Sequence, residues 1–402
     1  MLNMKVASPK PVLRLHFLDG LRGLACLYVL LFHASTPHIP YGGELSPFMA
    51  FVKLCISCGH FSVVFFIVLS GFSIMLPIAR SGTGQLKGGF WDYARRRARR
   101  ILPPYYVAVV LSIALIVGYN FISRRSGLGP PVVDNALSAG AVVSHLLLLH
   151  NLSFDWAYRI NGPLWSVATE WQIYFLFALL FLPLWRRAGN TVALLLAWLM
   201  GLLPFFLLPR DDNFFWASPW FMGSFMFGVW GAAIGFDPAW QDSWLRRRAP
   251  WGVFSALCFA LIVFLVGTGR SETWPLPLVD SIVSLFAFFL INACTQVTTS
   301  PERRSSLLVR VLGSRALVYL GGFSYSLYLV QHPVLRLAEK VVAKLTKSVD
   351  ANIQIHLLAV VPVTIAVAWL FAEFFERPFT TGGLILPAIR RRLLGTPSQS
   401  AS

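Results

Sequence analysis

The sequence predicts an all-α, polytopic membrane protein with about ten transmembrane helices and both termini in the cytoplasm. Three observations carry this prediction: composition, the lengths of the apolar runs, and the placement of basic residues. Of 402 residues, 56% are hydrophobic and only 13% charged, and the mean hydropathy is +0.65. A soluble domain carries about a quarter charged residues, so composition excludes an ordinary water-soluble globule.

Crossing a hydrocarbon core of about 30 Å takes about 20 helical residues. Apolar runs of that length fall near residues 16–36, 59–79, 101–121, 163–184, 191–209, 214–236, 250–268, 279–297, 316–338 and 353–374. The first carries Asp19 and Arg22 in its apolar part and shows no small-residue cleavage site, so it reads as a retained helix and not a signal peptide. The longest outer connection, about residues 122–162, contains Gly127, Gly129, Pro130 and Pro131. It then runs through an apolar stretch from Ala139 to His150, which is too short to span and reads as re-entrant or interfacial. No internal repeat is evident. The division is a cytoplasmic segment 1–14, a membrane domain 15–380 and a basic cytoplasmic tail 381–402, with no appended soluble domain expected after the last helix.

Basic residues test the orientation, because cytoplasmic loops carry an excess of Lys and Arg. With the N-terminus inside, 23 of the 34 Lys and Arg residues fall on the inner side and 10 on the outer, leaving Arg22 within the membrane. The net charge of +17 therefore does not point to nucleic acid, since the arginines cluster beside apolar segments. Five cysteines do not make a disulfide framework. Cys55 and Cys58 form a C-x-x-C at the outer mouth of the second helix, readable as a disulfide, as a metal pair or as two small packed side chains. No metal is predicted.

Four groups of polar residues stand out. Arg22 and His33 are eleven residues apart, close to three turns, so they share a helix face about 16 Å apart. An arginine inside an apolar span costs about 2.5 to 3.5 kcal/mol and needs a partner. Asp19, three residues back, supplies a structural one. Ser166, Glu170 and Tyr174, preceded by Trp165, follow at intervals of four and make one polar stripe, either a site or a polar knot between helices. Tyr325, Tyr328 and His332 make a third stripe after Gly321, Gly322 and Ser324, as a pocket lining or an aromatic belt. Arg95, Arg96, Arg97, Arg99 and Arg100 crowd into six positions. Guanidinium forks suit phosphate, of a nucleotide or of a lipid headgroup. His16, His38, His60, His145, His150 and His356 have no partner assignable from spacing.

In this order the pieces resemble the acyltransferase-3 family of membrane acyltransferases. The run Phe17, Leu18, Asp19, Gly20, Leu21, Arg22 and Gly23 to His33 is similar to its first-helix pattern, and Phe65, Phe66, Leu69, Ser70, Gly71 and Phe72 to its second-helix signature. Arg96, Arg97, Arg100, Ile101, Pro103 and Tyr105 resemble its arginine motif, and Pro163, Leu164, Trp165, Ser166, Glu170 and Tyr174 its Trp-Ser block. Ser324, Tyr325, Tyr328, Leu329, His332 and Pro333, then Phe375, Glu376, Arg377 and Pro378, complete the series.

The resemblance implies transfer of an acetyl or related group from cytoplasmic acyl-CoA to a hydroxyl of an extracytoplasmic or lipid-linked carbohydrate, such as a surface polysaccharide, in a bacterial inner membrane. It assigns His33 as base or acyl relay, oriented by Glu170. Arg22 would hold the donor in the membrane interior, and Arg96, Arg97 and Arg100 its phosphates. Trp165, Ser166, Tyr325, Tyr328 and His332 would bind substrate. Acetyl-CoA is the expected donor, and the expected partners are the acceptor glycan and the bilayer. The alternatives are acylation of a small glycoside or macrolide, or a transporter or flippase of a lipid-linked sugar. A flippase predicts related halves with broken helices, whereas polar stripes lie unevenly in the first, fourth and ninth spans.

Overall fold

The computed structural model describes residues 13–36, 44–126, 137–209, 214–300 and 306–380. The expected terminal segments, and the Gly and Pro run at 127–131, lie outside or almost outside these ranges. Every regular element among the described residues is helical. In chain order they are α1 (His16–Ala34), α2 (Pro47–Cys55), α3 (Gly59–Ser81), α4 (Gly89–Ser126) and α5 (Ala139–Leu146). Then come α6 (Leu164–Leu207), α7 (Phe221–Phe236), α8 (Trp251–Gly267) and α9 (Leu276–Thr299). The last are α10 (Leu307–Leu312), α11 (Arg315–Gly321), α12 (Ser324–Leu345) and α13 (Val349–Thr380).

Among the described residues, six helical stretches are long and apolar enough to cross a membrane: α1, Pro47–Ser81, α4, α6, α9 and α13. Two expected runs share α6, where Gly189 at φ 85° and ψ 177° breaks the helical path. That backbone is open to glycine because it lacks a Cβ. The run expected at 316–338 is divided between α11 and α12, which meet at Gly322 and Phe323.

Helix α7 lies at the centre. Its sixteen residues are hydrophobic all round, and nearly all are buried, the pattern of a helix enclosed by others. It meets α3 at backbone distance. A Cβ on Gly71 would stand 2.0 Å from the Phe225 carbonyl oxygen, and one on Gly228 would stand 1.9 Å from that of Val68. Small residues permit such an approach between membrane helices. Phe72 beside this crossing is fully buried. Helix α1 docks by the same device, with hypothetical Cβ atoms on Gly20 and Gly23 falling 1.7 and 2.3 Å from the carbonyl oxygens of Leu312 and Leu317. This crossing sets the depth of Arg22, which lies between the two glycines.

Local signals set several ends. The Ser138 hydroxyl accepts the Ala141 N–H at 3.2 Å to start α5, and Gly82 at φ +65° closes α3. In α13, π-helical turns at His356–Val360 and Ala372–Glu376 widen the spiral next to two buried polar contacts. His356 Nε2 stands 3.4 Å from Glu339, and the Ser326 N–H donates to Glu376 at 3.2 Å.

Candidate active site

Five helices converge on a cavity of about 110 Å³. Helix α1 contributes Arg22; α3, Ser70 and Ser73; α4, Arg97 and Arg100; α6, Ser166, Glu170 and Tyr174; α12, Tyr325 and Tyr328. The four-residue spacing on α6 and the three-residue spacings on α4 and α12 each put these groups on one helix face. Three guanidinium groups thus border a space with Glu170 as its one carboxylate among the lining residues, a setting suited to anionic or strongly polarised oxygen.

The polar groups are tied to each other. Arg22 donates to Asp19 Oδ1 at 3.1 Å and to the Ser73 hydroxyl, so it forms the structural ion pair and lines the cavity as well. Ser73 donates onward to the Leu69 carbonyl at 2.6 Å. Glu170 Oε1 accepts from the Ser70 and Tyr174 hydroxyls. The Ser-Gly-Phe run of α3 thereby divides its work: Ser70 holds the carboxylate, Gly71 permits the helix crossing and Phe72 fills the core. Tyr325 donates to the Ile101 carbonyl at 3.1 Å, fixing α12 to the arginine turn of α4. Arg96 lies elsewhere: its guanidinium donates to the exposed Lys87 carbonyl at 2.8 Å.

Toward the other end of α1 stand the histidines. The His33 ring lies 6.1 Å from that of His332 at 74°, and 5.2 Å from Phe32. Between the two levels, Ser166 and Tyr328 hydroxyls are 2.6 Å apart, and Tyr328 donates to the Pro163 carbonyl at 3.1 Å. Glu170 is hydrogen-bonded to hydroxyls at the Arg22 level, while His33 is about 16 Å further along α1 by helical rise. The Glu170 carboxylate is thus tied to Ser70 and Tyr174 at this level.

Spacing along the chain missed a third constellation. His60, on the first turn of α3, stacks on Trp165 with centroids 6.1 Å apart and planes at 11°. Its Nε2 stands 3.0 Å from both oxygens of Asp280 on α9, and Trp220 Nε1 donates to Asp280 Oδ2 at 2.8 Å. Asp280 is wholly buried, and a buried carboxylate requires such donors. An Asp inside the apolar run at 279–297 was the one available signal. Cys55 and Cys58 are unbridged thiols. Their backbone is held by Tyr28, whose hydroxyl donates to the Cys55 carbonyl at 2.9 Å.

The helices supplying the cavity follow the order α1, α3, α4, α6, α12, the order in which the family signatures occur. A profile of the acyltransferase-3 family, described as an acyltransferase domain, matches residues 15–373. The chain belongs to this family. It is 25% identical over 400 residues to the peptidoglycan O-acetyltransferase OatA of Listeria monocytogenes, covering 92% of this chain and 56% of that protein. It is 24% identical over 405 residues to YrhL of Bacillus subtilis, provisionally named a peptidoglycan O-acetyltransferase, covering 91% and 55%. A provisionally named O-acetyltransferase of Staphylococcus aureus strain COL is 23% identical over 389 residues, covering 91% and 57%. The chain thus spans a little over half the length of these curated relatives. No solved structure matches it. Within the family frame, Arg22, Ser70, Arg97, Arg100, Glu170 and Tyr325 share one cavity, and His33 and His332 form a separate level.

Proposed function

We propose that the protein is an O-acyltransferase of the bacterial inner membrane. It moves an acetyl or other short acyl group from cytoplasmic acyl-CoA to a hydroxyl of an extracytoplasmic or lipid-linked carbohydrate. The supporting observation is the convergence of Arg22, Arg97, Arg100 and Glu170, from three helices, in one cavity on the helical path that leads to His33. The named O-acetyltransferase relatives favour acetyl as the group and a wall glycan as the acceptor class. Ten crossings with both termini cytoplasmic fit the reading, because the Gly189 break divides α6 into two and α7, α8 and the α11–α12 pair add three more to the six long spans.

Arg97 and Arg100 bind the donor phosphates by charge-assisted hydrogen bonds. Arg22, steadied by Asp19 and Ser73, holds a pantetheine carbonyl. Ser70 and Tyr174 fix the Glu170 carboxylate, which balances the cationic cavity. At the outer level His33 removes the proton of the acceptor hydroxyl as that oxygen attacks the thioester carbonyl carbon. The carbon–sulfur bond then breaks, the ester forms, and the coenzyme sulfur leaves with the proton returned by His33. Base catalysis of this kind contributes about 10² to 10⁴ in rate.

The test is purified protein in proteoliposomes with radiolabelled acetyl-CoA and a glycan acceptor, followed by measurement of base-labile label on the glycan. Label that depends on His33 supports the reading. Near-normal transfer by folded His33→Ala removes His33 from the chemistry, and absence of any ester with intact protein sinks the acyltransfer.

A further inference from the structure

A second cleft, of about 390 Å³, opens beside the histidine level between α4, α12 and the turn at 154–160. Its floor is hydrocarbon, with Leu115 and Ile116 from α4, Phe154 from the turn and Leu337 from α12. Arg159, Arg336 and Lys340 also line it, against the single lining carboxylate of Asp155. His332 belongs to its wall, so the cleft reaches the residue whose ring is 6.1 Å from His33.

Of the three cations, Arg159 donates through Nε to the Asp155 carbonyl at 2.8 Å, and Arg336 and Lys340 have Glu339 as a charged neighbour on α12. Among the described residues neither Arg336 nor Lys340 forms an ion pair. Their chain neighbour Glu339 is turned inward, 4% exposed, with its carboxylate accepting from Asn352 and facing His356. Lys340 Nζ lies over the Tyr119 ring at 5.4 Å. The turn is also fixed. Ile160 adopts φ +59°, rare for a β-branched residue. Asn161 pins the turn by donating to the Leu329 carbonyl at 2.9 Å and to the Ser112 hydroxyl at 3.3 Å. Strained backbone persists where its surroundings hold it, and here it aims the Arg159 segment into the cleft.

Apolar walls with guanidinium and ammonium groups complement one chemistry, a phosphate carried on a hydrocarbon chain. We propose that this cleft is the acceptor subsite and that its ligand is a lipid-linked saccharide bound through its lipid phosphate, which places the sugar hydroxyl at His332 and His33. The proposal rests on the acyltransferase reading for the role of the ligand, but not for its binding.

The experiment is a calorimetric titration of the full chain in nanodiscs of uncharged phosphatidylcholine, without acetyl-CoA. The probes are farnesyl phosphate, farnesol, inorganic phosphate and phosphatidylglycerol. Farnesyl phosphate is expected to bind at least roughly tenfold tighter than farnesol or inorganic phosphate, since one charge-assisted contact carries about that factor. Replacing Arg336 and Lys340 together by Gln should weaken it by a similar factor, as should Arg159→Gln, measured separately because it lies on the turn and not on α12. Equal binding of farnesol, unchanged affinity in both the double and the Arg159 variants, or equally tight phosphatidylglycerol would each overturn the subsite. Failure here with intact acetyl transfer removes this cleft alone. Intact binding with no acetyl transfer removes the acyltransferase reading and leaves the cleft as a lipid-phosphate site.

Discussion

His60 Nε2 stands 3.0 Å from both carboxylate oxygens of Asp280, joining the first turn of α3 to the first turns of α9 across 220 positions of sequence. Trp220 adds a third contact to the same carboxylate, so one fully buried side chain ties three segments together beside Trp165. Asp280→Asn keeps the shape but offers an NH₂ donor where two donors already point. The expected cost is about 1 to 3 kcal/mol, the penalty for a buried polar group left unsatisfied. Thermal unfolding in detergent checks this, and a melting temperature equal to that of the wild type would show that the contact does not hold the helices.

Gly71→Ala and Gly228→Ala should each disturb the α3–α7 crossing. The added methyl meets backbone carbonyl oxygen near 2 Å, and backbone cannot swing aside as a flexible side chain can. Overpacking of this kind costs about 1 to 3 kcal/mol. Gly252→Ala on α8, where a Cβ has nothing within 4 Å, is the matched control. Detergent-extracted yield and melting temperature should fall for the first two and hold for the third; equal behaviour of all three would contradict the close crossing.

These two cases mark what the sequence could reveal. Polar stripes within one helix are legible because helical periodicity fixes the face: Ser166, Glu170 and Tyr174 do line one cavity, as do Tyr325 and Tyr328. Contacts between helices are not, since spacing carries no information about which faces meet. Ser70 with Glu170, His60 with Asp280 and Asn161 with Leu329 are therefore visible only in the fold. Arg96 shows how helical position separates residues of one type. Crowded arginines look equivalent in sequence, but successive residues on a helix turn by about 100°, so Arg97 and Arg100 share the cavity while Arg96 reaches the Lys87 carbonyl.

His145 and His150 stack in the connection between α4 and α6, with centroids 3.8 Å apart and planes at 10°. Burial, with the His145 ring alongside, holds His150 down to about 3, and burial lowers His145 as well. Unfolding frees both rings to bind protons at the ordinary value near 6.5, so the unfolded state takes up more protons below that pH. Stability therefore rises with pH through the window from about 3 to 6.5 and is lost as pH falls, by up to about 1.4 kcal/mol per pH unit for each proton. Melting temperature recorded from pH 7.5 to pH 5 should drop on the acid side, and His150→Phe should flatten the drop. A wild-type profile with no acid-side loss would show that the pair is not held neutral.

The donor end of the cavity can be tested apart from the chemistry. Arg97 and Arg100 line it, whereas the Arg96 guanidinium is engaged outside. A hydrogen bond to a charged group contributes about 1.5 to 3 kcal/mol, which corresponds to roughly 10- to 100-fold in affinity. Arg97→Gln and Arg100→Gln should therefore each raise KM for acetyl-CoA by at least about tenfold, with a smaller change in kcat, because donor phosphates are bound equally in ground and transition states. Arg96→Gln should stay within about twofold. The opposite ranking, with Arg96→Gln the most damaging, would place the donor phosphates on the outer face of the arginine turn and not in this cavity. Loss of kcat at unchanged KM in the Arg100 variant would instead move that residue to the reacting group.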